Sequence, residues 1–201
     1  MSILDNRDYT LILDKSGSMS TKDQPGGRSR WSAAREGAQA LAAKCEELDA
    51  DGLTLYLFGS KFRRYENVTS ERVAQVFTEN EPSGGTDLAG VLGHAFGSFF
   101  ERRAKGNARP ETIIVVTDGE PDDARAVIKT IVDASRRLKR DEELAVSLVQ
   151  VGTDPQARRF LKLLDDELVS AGAPFDIVDT VTLDEVEELG LTEVLLGAIN
   201  D

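Results

Sequence analysis

Dense apolar runs alternate along this chain with segments in which apolar residues return every three or four positions. Tyr9-Thr10-Leu11-Ile12-Leu13 is nearly continuous in apolar character, as a central parallel strand buried on both faces should be. After a polar, glycine-bearing loop from about Ser20 to Ser29, Trp31, Ala34, Ala38, Leu41, Cys45 and Leu48 mark one face of a helix. Leu53–Phe58 reads as the second strand. Phe62–Tyr65 pairs with it as a short antiparallel strand whose arginines suit an exposed edge. Ser70 is placed to cap a helix holding Val73, Val76 and Phe77. Leu88, Val91, Leu92, Ala95, Phe96 and Phe99 form the next stripe. Gly90, Gly93 and Gly97 lie within it at about 1 kcal/mol each against Ala, which predicts close packing over the sheet.

The same alternation continues to the end. Thr112–Thr117 is a central strand, with Ala124, Val127, Ile128, Ile131, Ser135 and Leu138 as its helix face. Leu144–Val151 is a further buried strand, followed by a helix around Phe160, Leu161 and Leu164. Phe175–Val178 is expected as the last strand. Thr182 with Glu185 forms a capping box that opens one final helix through Val186, Leu189 and Val194. Six strands, one antiparallel, and about six helices in this order predict an α/β fold with a mostly parallel sheet, built as a single domain over 1–201.

Composition narrows the function. A net charge of −12 argues against nucleic acid and against anionic membranes, both of which favour a basic face. No run approaches the roughly 20 apolar residues of a membrane span. Met1–Asp8 has no basic segment leading into an apolar core, and Cys45 is the lone cysteine, so no intramolecular disulfide can form. A cytoplasmic protein is the expectation.

The chemistry sits where strands run out. Asp14-Lys15-Ser16-Gly17-Ser18 follows the first strand, Ser83-Gly84-Gly85-Thr86-Asp87 precedes a helix, and Thr117-Asp118-Gly119 ends the Ile113–Val116 run. Asp14, Ser16, Ser18, Thr86 and Asp118 all offer hard oxygen, which suits a small divalent cation. Ser16 and Ser18 alternate with Lys15 and Gly17, so an extended loop turns both hydroxyls the way Asp14 points. Each segment alone also serves as a turn or a cap. The three together, in this order, favour metal binding.

DxSxS, GGT and TDG at these spacings resemble the von Willebrand factor A domain with its metal-ion-dependent adhesion site, over nearly the whole chain. The resemblance implies a three-layer, Rossmann-like sheet of order 3-2-1-4-5-6 with strand 3 antiparallel. It implies that Ser16, Ser18 and Thr86 meet the metal through hydroxyls, while Asp14 and Asp118 act directly or through water. Mg²⁺ is the expected ion, with Ca²⁺ or Mn²⁺ as alternatives, and a carboxylate from a partner protein would complete its coordination. It further implies a non-enzymatic adaptor of the intracellular bacterial type, which in that family often works within stress-response and ATPase-associated assemblies.

The alternative is a metal-dependent phosphoryl-transfer enzyme of haloacid-dehalogenase type with Asp14 as nucleophile. Ser16 stands where that chemistry needs a second acid, and no phosphate loop or GxSxG frame is present. Of the other polar residues, Asp87 is expected to favour a helix first turn through its dipole. Glu120, Asp122 and Asp123 crowd behind Asp118, with Asp122 or Asp123 expected as a cap. His94 and Cys45 are expected to be structural, and Trp31 to pack at its helix start. Lys22, Arg28 and Arg30 lie in the loop beside the site, read either as a solvated loop or as cations that select an acidic partner segment. On the second reading, reversing Arg28 and Arg30 weakens partner binding and spares metal binding.

Overall fold

The computed structural model describes residues 3–119 and 121–200; Met1, Ser2 and Glu120, which figure in the readings above, lie outside the described residues. The first apolar run becomes β1 (Asp8–Asp14), buried from Tyr9 onward. It lies between β2 (Leu53–Phe58) and β4 (Glu111–Thr117), parallel to both, with Asp14 beside Phe58 and Leu13 beside Val116. β3 (Phe62–Val68) runs antiparallel to β2, and β5 (Leu144–Gln150) and β6 (Val178–Thr182) extend the other side. The six-stranded order is β3-β2-β1-β4-β5-β6.

Because successive strand residues point to opposite faces, the core divides in two. Leu11, Leu13, Leu55 and Val116 face a layer made by α1 (Arg30–Leu48), α2 (Ser70–Glu79), α6 (Leu183–Leu189) and α7 (Leu191–Asn200). Ile12, Tyr56, Val115 and Leu148 face α3 (Leu88–Ala104), α4 (Ala124–Ser135) and α5 (Pro155–Asp166). Strand order reverses between β1 and β4, so the carboxyl ends of these strands flank the crevice where open α/β sheets gather ligands.

Four expectations are corrected. The last strand is Val178–Thr182 rather than Phe175–Val178. As an edge strand it buries only Val178 and Val181, so its half-buried polar Asp179, Thr180 and Thr182 hide it from a search for apolar runs. The final helix is two, broken at Gly190 with φ 85°. The α2 cap is Thr69, whose hydroxyl accepts from Arg72 N–H at 3.3 Å, and Ser70 is the first helical residue. Close packing does not account for the α3 glycines: a Cβ on Gly97 would meet nothing within 4 Å, and one on Gly93 only Thr130 at 3.8 Å. At Gly90 the missing Cβ leaves room for the Asp87 carboxylate, which caps α3 by accepting from Gly90 N–H at 2.9 Å.

Candidate functional site

Asp14 ends β1 with 1% exposure, and both of its oxygens are engaged. Oδ1 accepts from Ser16 N–H at 2.7 Å, a local turn that starts the loop, and Oδ2 accepts from the Thr117 hydroxyl at 2.7 Å across to β4. Burial above all, and then the negative Asp118 beside it, push the Asp14 carboxyl up to about 6, against the hydrogen bonds from Thr117 and Ser16. Ser16 is buried and Ser18 half-buried, and their hydroxyls lie 3.0 Å apart, but they meet because Gly17–Ser20 winds into a 3-10 turn and not along the extended loop expected. Met19, fully buried, pins the following turn into the core.

Backbone bonds bring the glycine loop to this one. Gly17 N–H donates to Gly84 O at 3.0 Å and Ser83 N–H to Lys15 O at 2.7 Å. Gly84 has φ 84°, the left-handed conformation glycine adopts without strain. Thr86 is buried, and its N–H donates to Asp122 Oδ2 at 2.9 Å while its carbonyl accepts from Asp122 N–H at 3.0 Å. Asp122 is thus a clamp on Thr86, and Asp123 is the α4 cap, accepting from Ala126 N–H at 3.0 Å. A Cβ on Gly85 would stand 2.6 Å from Asp122 Oδ2, so glycine is needed for this approach.

Asp118 is fully buried just beyond β4. Its Oδ2 accepts from Arg30 Nη1 at 3.2 Å, and its Oδ1 has no hydrogen-bond partner among the described residues. Ser147 Oγ, a neutral hydroxyl in β5, is likewise unpartnered. A buried carboxylate oxygen is much the costlier of the two to leave so. Arg30 is itself fixed by Asp23, which accepts from Nη2 at 2.7 Å and from Nε at 3.0 Å. That pairing, first of all, holds the guanidinium above its ordinary pKa. Sequence reasoning missed this role. The available signal was phase, since Arg30 stands four residues before Ala34 on the buried Ala34–Ala38–Leu41–Cys45 stripe.

This corrects the reading of the Met19–Arg30 loop. Arg30 is committed inward, and Arg28 pairs with Glu36 at 2.8 Å on the surface. Reversing Arg30 would set a third carboxylate beside Asp14 and Asp118 and would not spare the site. His94 Nδ1 lies 2.9 Å from the Tyr56 hydroxyl, Cys45 is buried, and Trp31 packs on Phe77 with ring centroids 4.3 Å apart, all structural roles. Lys15 Nζ donates to Ser83 Oγ at 3.0 Å. No group of three or more His, Cys, Asp or Glu that could hold a metal occurs among the described residues. What gathers instead is two buried carboxylates with Ser16 and Ser18, and with Thr86 on the adjoining loop.

The family described as von Willebrand factor type A domain matches residues 9–120, a stretch that holds all five of these residues. Solved structures with the same fold include the manganese-loaded TRAP protein of Plasmodium vivax, with 17% identity and TM-score 0.62 over 92% of this chain and 72% of that one. A conserved hypothetical protein, BatB of Bacteroides thetaiotaomicron, shares 17% identity at TM-score 0.64, covering 97% of this chain and 100% of its own. The SpRpn10 VWA domain shares 12% identity at TM-score 0.67, covering 92% and 95%. At these identities the likeness is one of fold. Comparison with curated proteins finds no match.

Proposed function

The chain belongs to the von Willebrand factor type A domain family, and from that premise we propose that it is a non-enzymatic, metal-dependent protein-interaction domain working as an adaptor. Ser16, Ser18 and Thr86 would hold a divalent cation through their hydroxyls, with Asp14 and Asp118 meeting it directly or through water, as a metal-ion-dependent adhesion site. The observation that carries this reading is Asp118 Oδ1, a buried carboxylate oxygen without a partner among the described residues, beside a second buried carboxylate. All-oxygen donors fit a hard ion; Mg²⁺, which keeps several waters, is our choice, with Ca²⁺ and Mn²⁺ close behind because oxygen donors alone do not separate them. The TRAP protein of like fold holds manganese, which supports a divalent ion of this class.

When bound, the cation supplies a positive centre short of negative partners, to which a carboxylate of a partner protein attaches. The chain's own part is to keep that centre rigid. Gly17 and Gly84 lock two loops together, Asp122 fixes Thr86, and Thr117 and Ser16 N–H fix Asp14. Arg30 holds one oxygen of Asp118 so that the other stays free. The phosphoryl-transfer alternative finds no support, since Asp14 is buried with both oxygens hydrogen-bonded and Ser16 stands where a second acid is needed. The proposal places the protein in the cytoplasm, in line with the intracellular bacterial type, acting on neither nucleic acid nor membrane. Among the described residues no helix is long and apolar enough to cross a membrane.

The test is the thermal stability of metal-stripped protein against added Mg²⁺, Ca²⁺ and Mn²⁺, beside Asp14→Ala. Metal at about 100 times its dissociation constant adds roughly 2.7 kcal/mol, a rise of about 5–10 °C. The rise is expected in the native chain and absent in Asp14→Ala. No rise at millimolar metal would remove the basis of the proposal.

A further inference from the structure

A cavity of about 430 Å³ opens beside the loops that carry Ser16 and Thr86, and it shares Lys15 and Gly84 with them. Leu57 and Phe62 are among its apolar lining residues, and Lys15, Lys61 and Arg63 are its charged ones. The lining contains no carboxylate, in a chain of net charge −12. Lys61 and Arg63 are exposed. Among the described residues none of the three cations has an ion pair, Lys15 donating only to Ser83 Oγ. Carboxylates of the flanking segments are engaged elsewhere: Glu66 meets Arg64 at 2.9 Å and Glu79 meets Arg72 at 2.7 Å, while Glu81 is exposed outside the lining.

We infer that this cavity is the docking groove for an acidic peptide segment of the partner, seated on Lys15, Lys61 and Arg63. The inference rests on the metal-dependent reading above and sharpens it. One carboxylate of the segment goes to the metal, and its acidic neighbours run over the β2–β3 turn into the cavity. Charge complementarity commits the groove to this occupant. Of the cations named in the sequence reading, Arg28 and Arg30 are spent on Glu36, Asp23 and Asp118, whereas Lys15, Lys61 and Arg63 have no ion pair among the described residues. Gly59 makes the adjacency possible: its missing Cβ would stand 3.1 Å from Ser83 O and 3.8 Å from Lys15 Cγ, so the β2–β3 turn lies directly against the two site loops.

The probe is a fluorescein-labelled hexaglutamate peptide, with a peptide of one Glu among Gly and Ser as control, read by anisotropy with Mg²⁺ or with EDTA. The native chain should bind hexaglutamate more tightly than the control in Mg²⁺. Lys61→Glu with Arg63→Glu should weaken it about ten-fold while leaving the magnesium-induced thermal shift unchanged, and the paired Gln variant should fall between. Equal affinity in the native chain and the reversed variant, or no binding of hexaglutamate by the native chain, would overturn the inference. Binding that falls on charge reversal yet ignores EDTA and Asp14→Ala would uphold the groove and sink the metal-dependent reading.

Discussion

At the amino-terminal end of the sheet, Asp8, Asp49 and Glu111 meet Arg102 and Arg109; at the carboxyl end, the one guanidinium among the described residues that meets Asp14 or Asp118 is Arg30, which touches Asp118 but not Asp14 and is shared with Asp23. The first cluster is closed. Glu111 accepts from Thr10 at 2.6 Å and from Arg102 at 2.6 Å, Asp8 pairs with both Arg102 and Arg109, and Arg7 donates to Thr112 Oγ1 and to the carbonyls of Glu111 and Glu142. The second leaves a buried carboxylate oxygen unmatched. Buried ions of one protein are thus treated in two ways, and the difference separates a cluster that holds the fold from one prepared for a cation.

The comparison breaks most visibly at its closed end. Arg102→Ala strips Glu111 of the one guanidinium that meets its carboxylate among the described residues. Its carboxyl, already raised by burial, would then be left with Thr10 alone. A loss of about 2–4 kcal/mol is expected, discounted because Arg102 is partly exposed, with Tm lower by about 5–12 °C and an unchanged magnesium response. A magnesium response that disappeared as well would show that the two ends are not independent. At the open end Asp118→Asn should do the reverse. Metal-free stability should stay within about 1 kcal/mol of the native chain, while the roughly 2.7 kcal/mol conferred by excess metal is lost. Calorimetry with and without Mg²⁺ reads both quantities.

Arg30→Gln probes the link between the loop and the site. Two effects oppose: a like charge leaves the neighbourhood of the cation, but Asp118 loses its one partner. Asp23 already neutralises Arg30 through two short hydrogen bonds, so the orienting effect should win and magnesium Kd should rise about ten-fold, roughly 1.4 kcal/mol. A tighter Kd would mean that repulsion dominates.

The smallest effect concerns Cys45, whose thiol burial pushes up from 9.0 to about 12. A raised folded pKa contributes stability that is present below pH 9 and is lost as pH climbs towards 12. The native chain should therefore lose about 1 kcal/mol more than Cys45→Ala between pH 8 and pH 10 in urea unfolding. The folded thiol should also resist alkylation across that range.

Much of this was legible in the chain because periodicity reports burial. β1, β4 and β5 are buried on both faces and read as apolar runs, and α1 and α3 read as stripes. β6 escaped because an edge strand needs only half its residues apolar. The α6–α7 break escaped because a lone Gly190 in a helical pattern does not announce itself. At the site, the donor types were legible, but the Ser16–Ser18 contact was expected from an extended loop and arises instead from a 3-10 turn over Gly17–Ser20. The contacts that hold them did not. Thr117 to Asp14, Asp122 to Thr86 and Arg30 to Asp118 span from 36 to 103 residues, and no local pattern encodes such distances. Arg30 alone left a trace, as a cation in phase with a buried stripe.

The central claim is that Ser16, Ser18 and Thr86 converge on one cation. The most direct measurement is a crystal structure of protein soaked in Mn²⁺, examined for anomalous scattering. The account predicts a single strong peak within bonding range of the hydroxyls of Ser16, Ser18 and Thr86, with Asp14 and Asp118 at or one water from it. Ordered density for those five side chains with no peak between them, at a manganese concentration that fills other carboxylate sites, would contradict it.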